Sequence, residues 1–225
     1  MPATYAHCRF GEEMLQLMPA DVRGTAKRHR QFFDVGLQGP DPLFYCRPAL
    51  TGKTHRLGQK FHMQTGREFF SRASRNLRRE PDDSGQAYLY GVLCHFVLDA
   101  GCHTLTVRSE ELPRIEIAFD RFLMELDGVS GFGQWPHGAL TDREWGLVSR
   151  FYPGTDKGVF RRSARRMRKA HAAGQIPDPE WACWNQPLLE RYRQAGEIFP
   201  DMLLKLIAHL QYNAPLGEKF DPIFG

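Results

Sequence analysis

The sequence predicts an all-α protein, a single helical bundle spanning residues 1–225. Three observations lead there. Apolar residues recur three and four positions apart through most of the chain, the spacing that lines one face of a helix. No run of alternating apolar and polar residues persists long enough to make a strand, and no internal repeat is visible. Helix-start signals stand where the apolar runs begin: PDDS ahead of GQAYLYGVL, Pro113 ahead of RIEIAFDRFLMEL, and the capping-box pair Thr141 and Glu144.

In chain order, RFGEEMLQLM has helical spacing and stops at Pro19. ADVRGTAKRHRQFF is expected as the second helix, ending before a loop rich in glycine and proline, VGLQGPDPLFYCRP. GQKFHMQTGREFFSRASRNLRRE is expected as one long amphipathic helix, phenylalanines on one side and arginines on the other. The apolar segment YGVLCHFVLDAGCH follows, then PRIEIAFDRFLMEL, a loop containing GFGQWPHG, and TDREWGLVSRFYP. A basic helix around RRSARRMRK comes next. The last expected helix, QPLLERYRQAGEIFPDMLLKLIAHLQY, should bend or break near Pro200.

Composition narrows the class. Hydrophobic residues at 42% and charged residues at 25% are ordinary for a globular chain of 225 residues, long enough to bury a substantial core. The net charge of +4 is mild, and most of the excess sits in residues 161–169, so the protein as a whole does not read as a nucleic-acid binder. That basic stretch reads first as a solvated helix face. Five cysteines with no CxxC pair argue against a disulfide framework and against a cysteine-built zinc site, and they are expected as small buried thiols. No stretch approaches the length of a membrane span, and MPATYAHCRFGEEML has no basic region followed by an apolar one. The expected location is the cytoplasm.

One segment does not fit a purely structural role. Within YGVLCHFVLDAGCH, His95, Asp99 and His103 stand at successive i, i+4 spacings. Each step of four drifts by only about 40° on a helix, so the three share one face. A carboxylate buried in such apolar surroundings is costly unless it is paired, hydrogen-bonded or bound to a metal. His and carboxylate without Cys suit a catalytic zinc site better than a structural one, although a satisfied core network would explain the same triplet. Other candidates for the same interior are His7 in the first helix, Asp41 between two prolines in GPDPLFY, His62 in GQKFHMQTG, and Glu116 with Asp120 one turn further. Taken singly, these are a helix-end residue, a turn residue, and the polar stripe of an amphipathic helix.

The combination MPATYAH, GPDPLFY, KFH, YLYGVLCHFVLDAGCH, IEIAFDRFLMELDG and the closing NAPLGEKFDPIFG resembles bacterial zinc-dependent phospholipase C. The likeness is greatest to the small cytosolic-type proteins of that family, and the family is distantly similar to fungal single-strand zinc nucleases. The resemblance implies an all-helical fold, a zinc cluster and hydrolysis of phosphate esters. It implies that Asp41, His62, His95 and Asp99 hold one zinc. It further implies that Asp99 bridges to a second zinc, held also by His7 and by the amine of Pro2 once Met1 is removed. His103 and Glu116 match two ligands of a third, and Asp41 matches the residue that acts as general base.

The chain departs from the family at one position. Leu112 stands where a histidine belongs, one helical turn before Glu116, and the segment TLTVRSEELP ahead of it is short. Two zinc ions are therefore expected, with the third site lacking a ligand unless His137 or Asp120 supplies it. The expected substrate is a phosphate ester, either a small molecule or a lipid headgroup; nucleic acid is the less favoured substrate. Two alternatives stay open. One is a metal-binding or partner-binding module without turnover, motivated by Leu112, and the other is a nuclease.

Overall fold

The computed structural model describes residues 4–45, 53–102, 111–130, 140–172 and 179–224. Its helices are α1 (Thr4–Leu17), α2 (Ala20–Arg28), α3 (Arg30–Gly36), α4 (Lys53–His62), α5 (Gly66–Arg79), α6 (Asp83–Cys102), α7 (Leu112–Leu126), α8 (Asp142–Ser149), α9 (Lys157–Ala172) and α10 (Asn185–Tyr212). Short 3-10 turns cover Asp41–Tyr45, Pro179–Trp184 and Glu218–Phe220. Among the described residues the only strand-like pairing is a single bridge between Thr65 and Ile223. The fold is all-α.

The apolar composition of α6 makes it the axis. Fourteen of its residues from Ala87 onward are buried, and α1, α2, α3, α5, α8 and α10 all pack on it. Its start is fixed by Asp82, whose carboxylate accepts the backbone N–H groups of Ser84 and Gly85. That arrangement satisfies donors that a helix N-terminus otherwise leaves orphaned. The closest crossing is with α3, where Gly36 meets Gly91; a Cβ on Gly91 would overlap the Phe33 carbonyl oxygen. No other side chain at position 91 lets α3 approach so near.

Three expectations change. ADVRGTAKRHRQFF is two helices, because His29 leaves the helical region at φ −110° and ψ 42°. Its ring contacts Ser84 Oγ at 3.1 Å, and the turn swings α3 onto α6. The segment from Gly58 to Glu80 is also two helices. Thr65 and Glu68 form a capping box that starts α5 afresh after α4 ends at His62. Gln64 and Gly66, either side of that cap, bond to the C-terminal tail through Phe224 N–H and the Pro222 carbonyl. Finally, of the bend or break expected near Pro200, the break does not occur, and α10 runs on as one helix. The carbonyl that a proline ring crowds belongs to the residue four before it, here Gly196. Ala195, Phe199, Met202, Leu203 and Leu206 bury both halves of the helix and hold it continuous.

The α8 capping box forms as predicted, and α7 begins at Leu112 with Pro113 just inside it. Of the cysteines, Cys94 and Cys102 are buried, Cys8 is partly exposed and Cys183 lies on the surface, so the expectation of uniformly buried thiols does not hold. Cys46 lies outside the described residues. Trp181 and Trp184 pack half-buried against the core.

Candidate metal centre

The centre forms where α1, the Asp41–Tyr45 turn, α4 and α6 converge. Asp41, His62, His95 and Asp99 each offer a ligand atom, and those atoms lie within 4.8 Å of one another. His62, His95 and Asp99 are buried, while the Asp41 side chain keeps 13% exposure. Asp41 is therefore the edge of the cluster that solvent reaches.

Local folding explains each placement. His95 and Asp99 follow from the helical period of α6. His62 ends α4, where the fresh cap at Thr65 turns the chain. Asp41 is brought in by a tight descent through Gly39, at φ 45°, where a Cβ would overlap the His95 ring. Only glycine combines that left-handed backbone with such an approach.

The two central imidazoles are oriented from behind. His62 Nδ1 donates to the Gly58 carbonyl at 2.9 Å, and His95 Nδ1 donates to the Leu37 carbonyl at 3.3 Å. Both rings therefore present Nε2 to the interior, the arrangement by which a second hydrogen bond fixes a metal-ligating histidine. His62 Nε2 lies 2.9 Å from Asp41 Oδ1, and His95 Nε2 lies 3.1 Å from Asp99 Oδ2 and 3.9 Å from Asp41 Oδ1. Phe44 leans on the His62 ring with centroids 4.3 Å apart, and Phe224 stacks on His95 at 6.2 Å.

His7 joins from α1. Its Nε2 lies 3.2 Å from Asp99 Oδ1, and its ring stacks on that of His95 at 4.4 Å. Asp99 thus stands between two imidazoles, one on each oxygen. The contacts are short but poorly directed. His7 Nε2, His95 Nε2 and both Asp99 oxygens are buried without a hydrogen-bond partner. Buried polar atoms are rarely left so, and their convergence fits a cation between them. The donor set of imidazole and carboxylate suits zinc.

Electrostatics agree. Burial works to raise the Asp41 carboxyl, but His95 and His62 outweigh it and hold the group below the usual carboxylate range. Burial acts on Asp99 in the same way, and His95 and His7 hold it well below that range. Both are carboxylates at neutral pH.

Glu116 on α7 behaves differently. Burial pushes it up to about 7, and the Asp41 and Asp99 carboxylates add to the rise. Tyr45 is pushed up to about 12 by burial and by Asp41 and Glu116, so its phenol stays protonated beside the two acids. Leu112 is half-buried at the first position of α7. Pro2, His103 and His137 lie outside the described residues.

Asp120 has another role than filling the third site. Its two oxygens accept the backbone N–H groups of Tyr5 and Ala6, at 2.8 and 2.9 Å. About two turns further on, the residue that caps α7, Asp127, takes the Tyr5 hydroxyl and Arg9 Nε, both at 2.8 Å. α7 thus grips the first turns of α1 on either side of His7. Sequence reasoning did not foresee this clamp, nor Gly39 and Gly91. A glycine inside an apolar helix, and another before a Pro-Asp-Pro turn, are the signals that mark close backbone approach.

Fold and donor set together define an all-helical protein with a candidate zinc centre. The family model for zinc dependent phospholipase C matches residues 6–148. The chain belongs to that family. No curated protein and no solved structure matches it.

Proposed function

We propose that this protein hydrolyses phosphate esters. Asp41, His62, His95 and Asp99 would hold one zinc; Asp99, His7 and the amine of Pro2 would hold a second. The observation that carries the reading is the set of unpartnered buried atoms on His7, His95 and Asp99, in a chain of this family. Zinc in such a site lowers the pKa of water and neutralises charge on phosphate oxygens.

The chain's own residues do the rest. Asp41 is ionised and solvent-facing, so it receives the proton of the attacking water. His62, its ring fixed by Nδ1 donating to the Gly58 carbonyl, sets Nε2 2.9 Å from Asp41 Oδ1, so the two would share one ion. Phe224 and Phe44 cover the rings of His95 and His62 and keep bulk water from their backs. Substrates of this reading are small phosphodiesters or phosphomonoesters and lipid headgroups.

Leu112 favours a second reading, a metal-binding or partner-binding module without turnover. It sets an aliphatic side chain one turn before Glu116, where a third ion would need a donor. The two separate on metal content and turnover. Elemental mass spectrometry on protein with an untagged N-terminus, paired with p-nitrophenyl monoester and diester assays, is expected to give two zinc ions and hydrolysis. Zinc without hydrolysis of either ester would move the assignment to the module.

A further inference from the structure

The densest positive charge of this protein lies on one helix, although residues 53–79 form a second basic run with eight Lys and Arg against one Glu. Residues 157–169 carry seven Lys and Arg and no Asp or Glu, whereas the rest of the chain has 23 Lys and Arg against 26 Asp and Glu. The remainder is therefore net negative. On α9 the cations are also one-sided. Phe160, Ser163 and Met167 are buried, while Arg162, Arg165, Arg168 and Lys169 on the opposite arc are exposed. Of the seven, only Arg161 has a carboxylate partner among the described residues, Asp142 at the start of α8. Like charges held this close on a rigid helix repel one another, with only the Arg161–Asp142 pair among the described residues to offset it.

The place of this helix matters as much as its charge. α9 packs against the Asp41–Tyr45 turn, the element that brings Asp41 to the metal centre. We infer that the cationic face of α9 docks the protein on an anionic phospholipid surface, setting the mouth of the centre against the lipid phosphates. The choice of occupant rests on the phosphate-ester reading above; the charge pattern does not. A lipid surface fits better than a nucleic acid, because the exposed arc offers cations and no aromatic side chain on which bases could stack. The apolar face of α9 is already used in the core, so attachment is electrostatic and does not insert the helix.

Co-sedimentation with vesicles tests this on the zinc-loaded protein. Vesicles of phosphatidylcholine alone are compared with vesicles that also contain phosphatidylserine, each at low and high salt. The natural chain is expected to pellet only with the anionic vesicles and to be released by salt. Each cation near an anionic leaflet is worth about fivefold in binding, so Arg165→Gln with Lys169→Gln should weaken it about 25-fold. Lys27→Gln with Arg28→Gln, the same charge change on α2, should leave it unchanged, and both variants should hydrolyse soluble ester normally. Equal binding by the α9 variant, or equal loss in the α2 variant, would overturn the docking surface. Tighter binding of a single-stranded oligonucleotide at matched phosphate concentration would overturn the lipid assignment in favour of a nucleic-acid track. Protein that lacks hydrolysis yet shows the expected vesicle pattern keeps the surface and loses the hydrolase; active protein indifferent to anionic vesicles does the reverse.

Discussion

Asp120 on α7 holds Ala6 on α1: its carboxylate accepts the Ala6 backbone N–H at 2.9 Å and, with its other oxygen, that of Tyr5 at 2.8 Å. These donors belong to the first turn of α1, where a helix has no internal acceptors to offer. Burial pushes Asp120 up to about 7 against the pull of the two amides. Asp120→Ala is expected to cost about 1–2 kcal/mol, the range for a lost helix cap. The larger effect should fall on His7, the next residue along α1. Displacing a group that orients a metal ligand typically weakens binding 10- to 100-fold, so about one zinc per chain should be lost on dialysis. Metal content measured beside thermal unfolding separates this from general destabilisation, which would leave the zinc count of the folded fraction intact.

Asp41→Asn keeps the shape of the side chain and removes its charge. Because Asp41 is partly exposed, the fold should lose little, with thermal unfolding shifted by a few degrees at most. Hydrolysis should fall by about 10²–10⁴-fold, the usual contribution of a general base. Stopped assays on p-nitrophenyl esters check this; residual activity near that of the natural chain would remove Asp41 from the role.

Gly91→Ala forces a methyl into the Phe33 carbonyl at the α3–α6 crossing. The backbones must part, and overpacking of this kind costs about 1–3 kcal/mol. For a chain of this size that corresponds to a fall in Tm of about 2–4 °C per kcal/mol. Moving α3 also moves Leu37, whose carbonyl orients His95, so zinc affinity should drop alongside Tm in calorimetry and metal titration.

Asp34 supplies a pH dependence away from the centre. It is 1% exposed, and burial raises it to about 6 although Arg30 Nε lies 2.6 Å away and pulls it down. A carboxyl raised above its unfolded value binds a proton more tightly in the folded state. Its contribution is therefore full below the unfolded pKa and is lost as pH rises from about 4 through about 6. Two pH units correspond to about 3 kcal/mol at most. Denaturant titrations of Asp34→Asn and the natural chain should show this slope in the natural chain and a flatter profile in the variant.

Much of the helical fold was legible because apolar spacing and helix-start signals are local. The errors fall where distant contacts decide. Nothing in ADVRGTAKRHRQFF marks His29 as a break; contact with Ser84 on α6 does. The Phe and Arg faces of α5 were visible, but periodicity read straight through the Thr65–Glu68 capping box that separates α4 from α5. Pro200 does not break α10, because burial on both sides, which sequence does not display, outweighs the local penalty. At the centre, His95 and Asp99 share a face by helical geometry alone. That Asp41, His62 and His7 approach them depends on Gly39, Gly91 and the α7 clamp, which act across the fold. His103 and Pro2 stand outside the described residues, and their assignment remains the family's implication.

The rings of Phe224 and His7 both stack on that of His95, with centroids 6.2 and 4.4 Å away. The two rings beside His95 stand 217 positions apart in the sequence (224 − 7), so the centre is walled only when both distant segments have docked on α6. A local opening of the segment after α10 would strip the wall behind His95 while the helices that carry the candidate ligands persist.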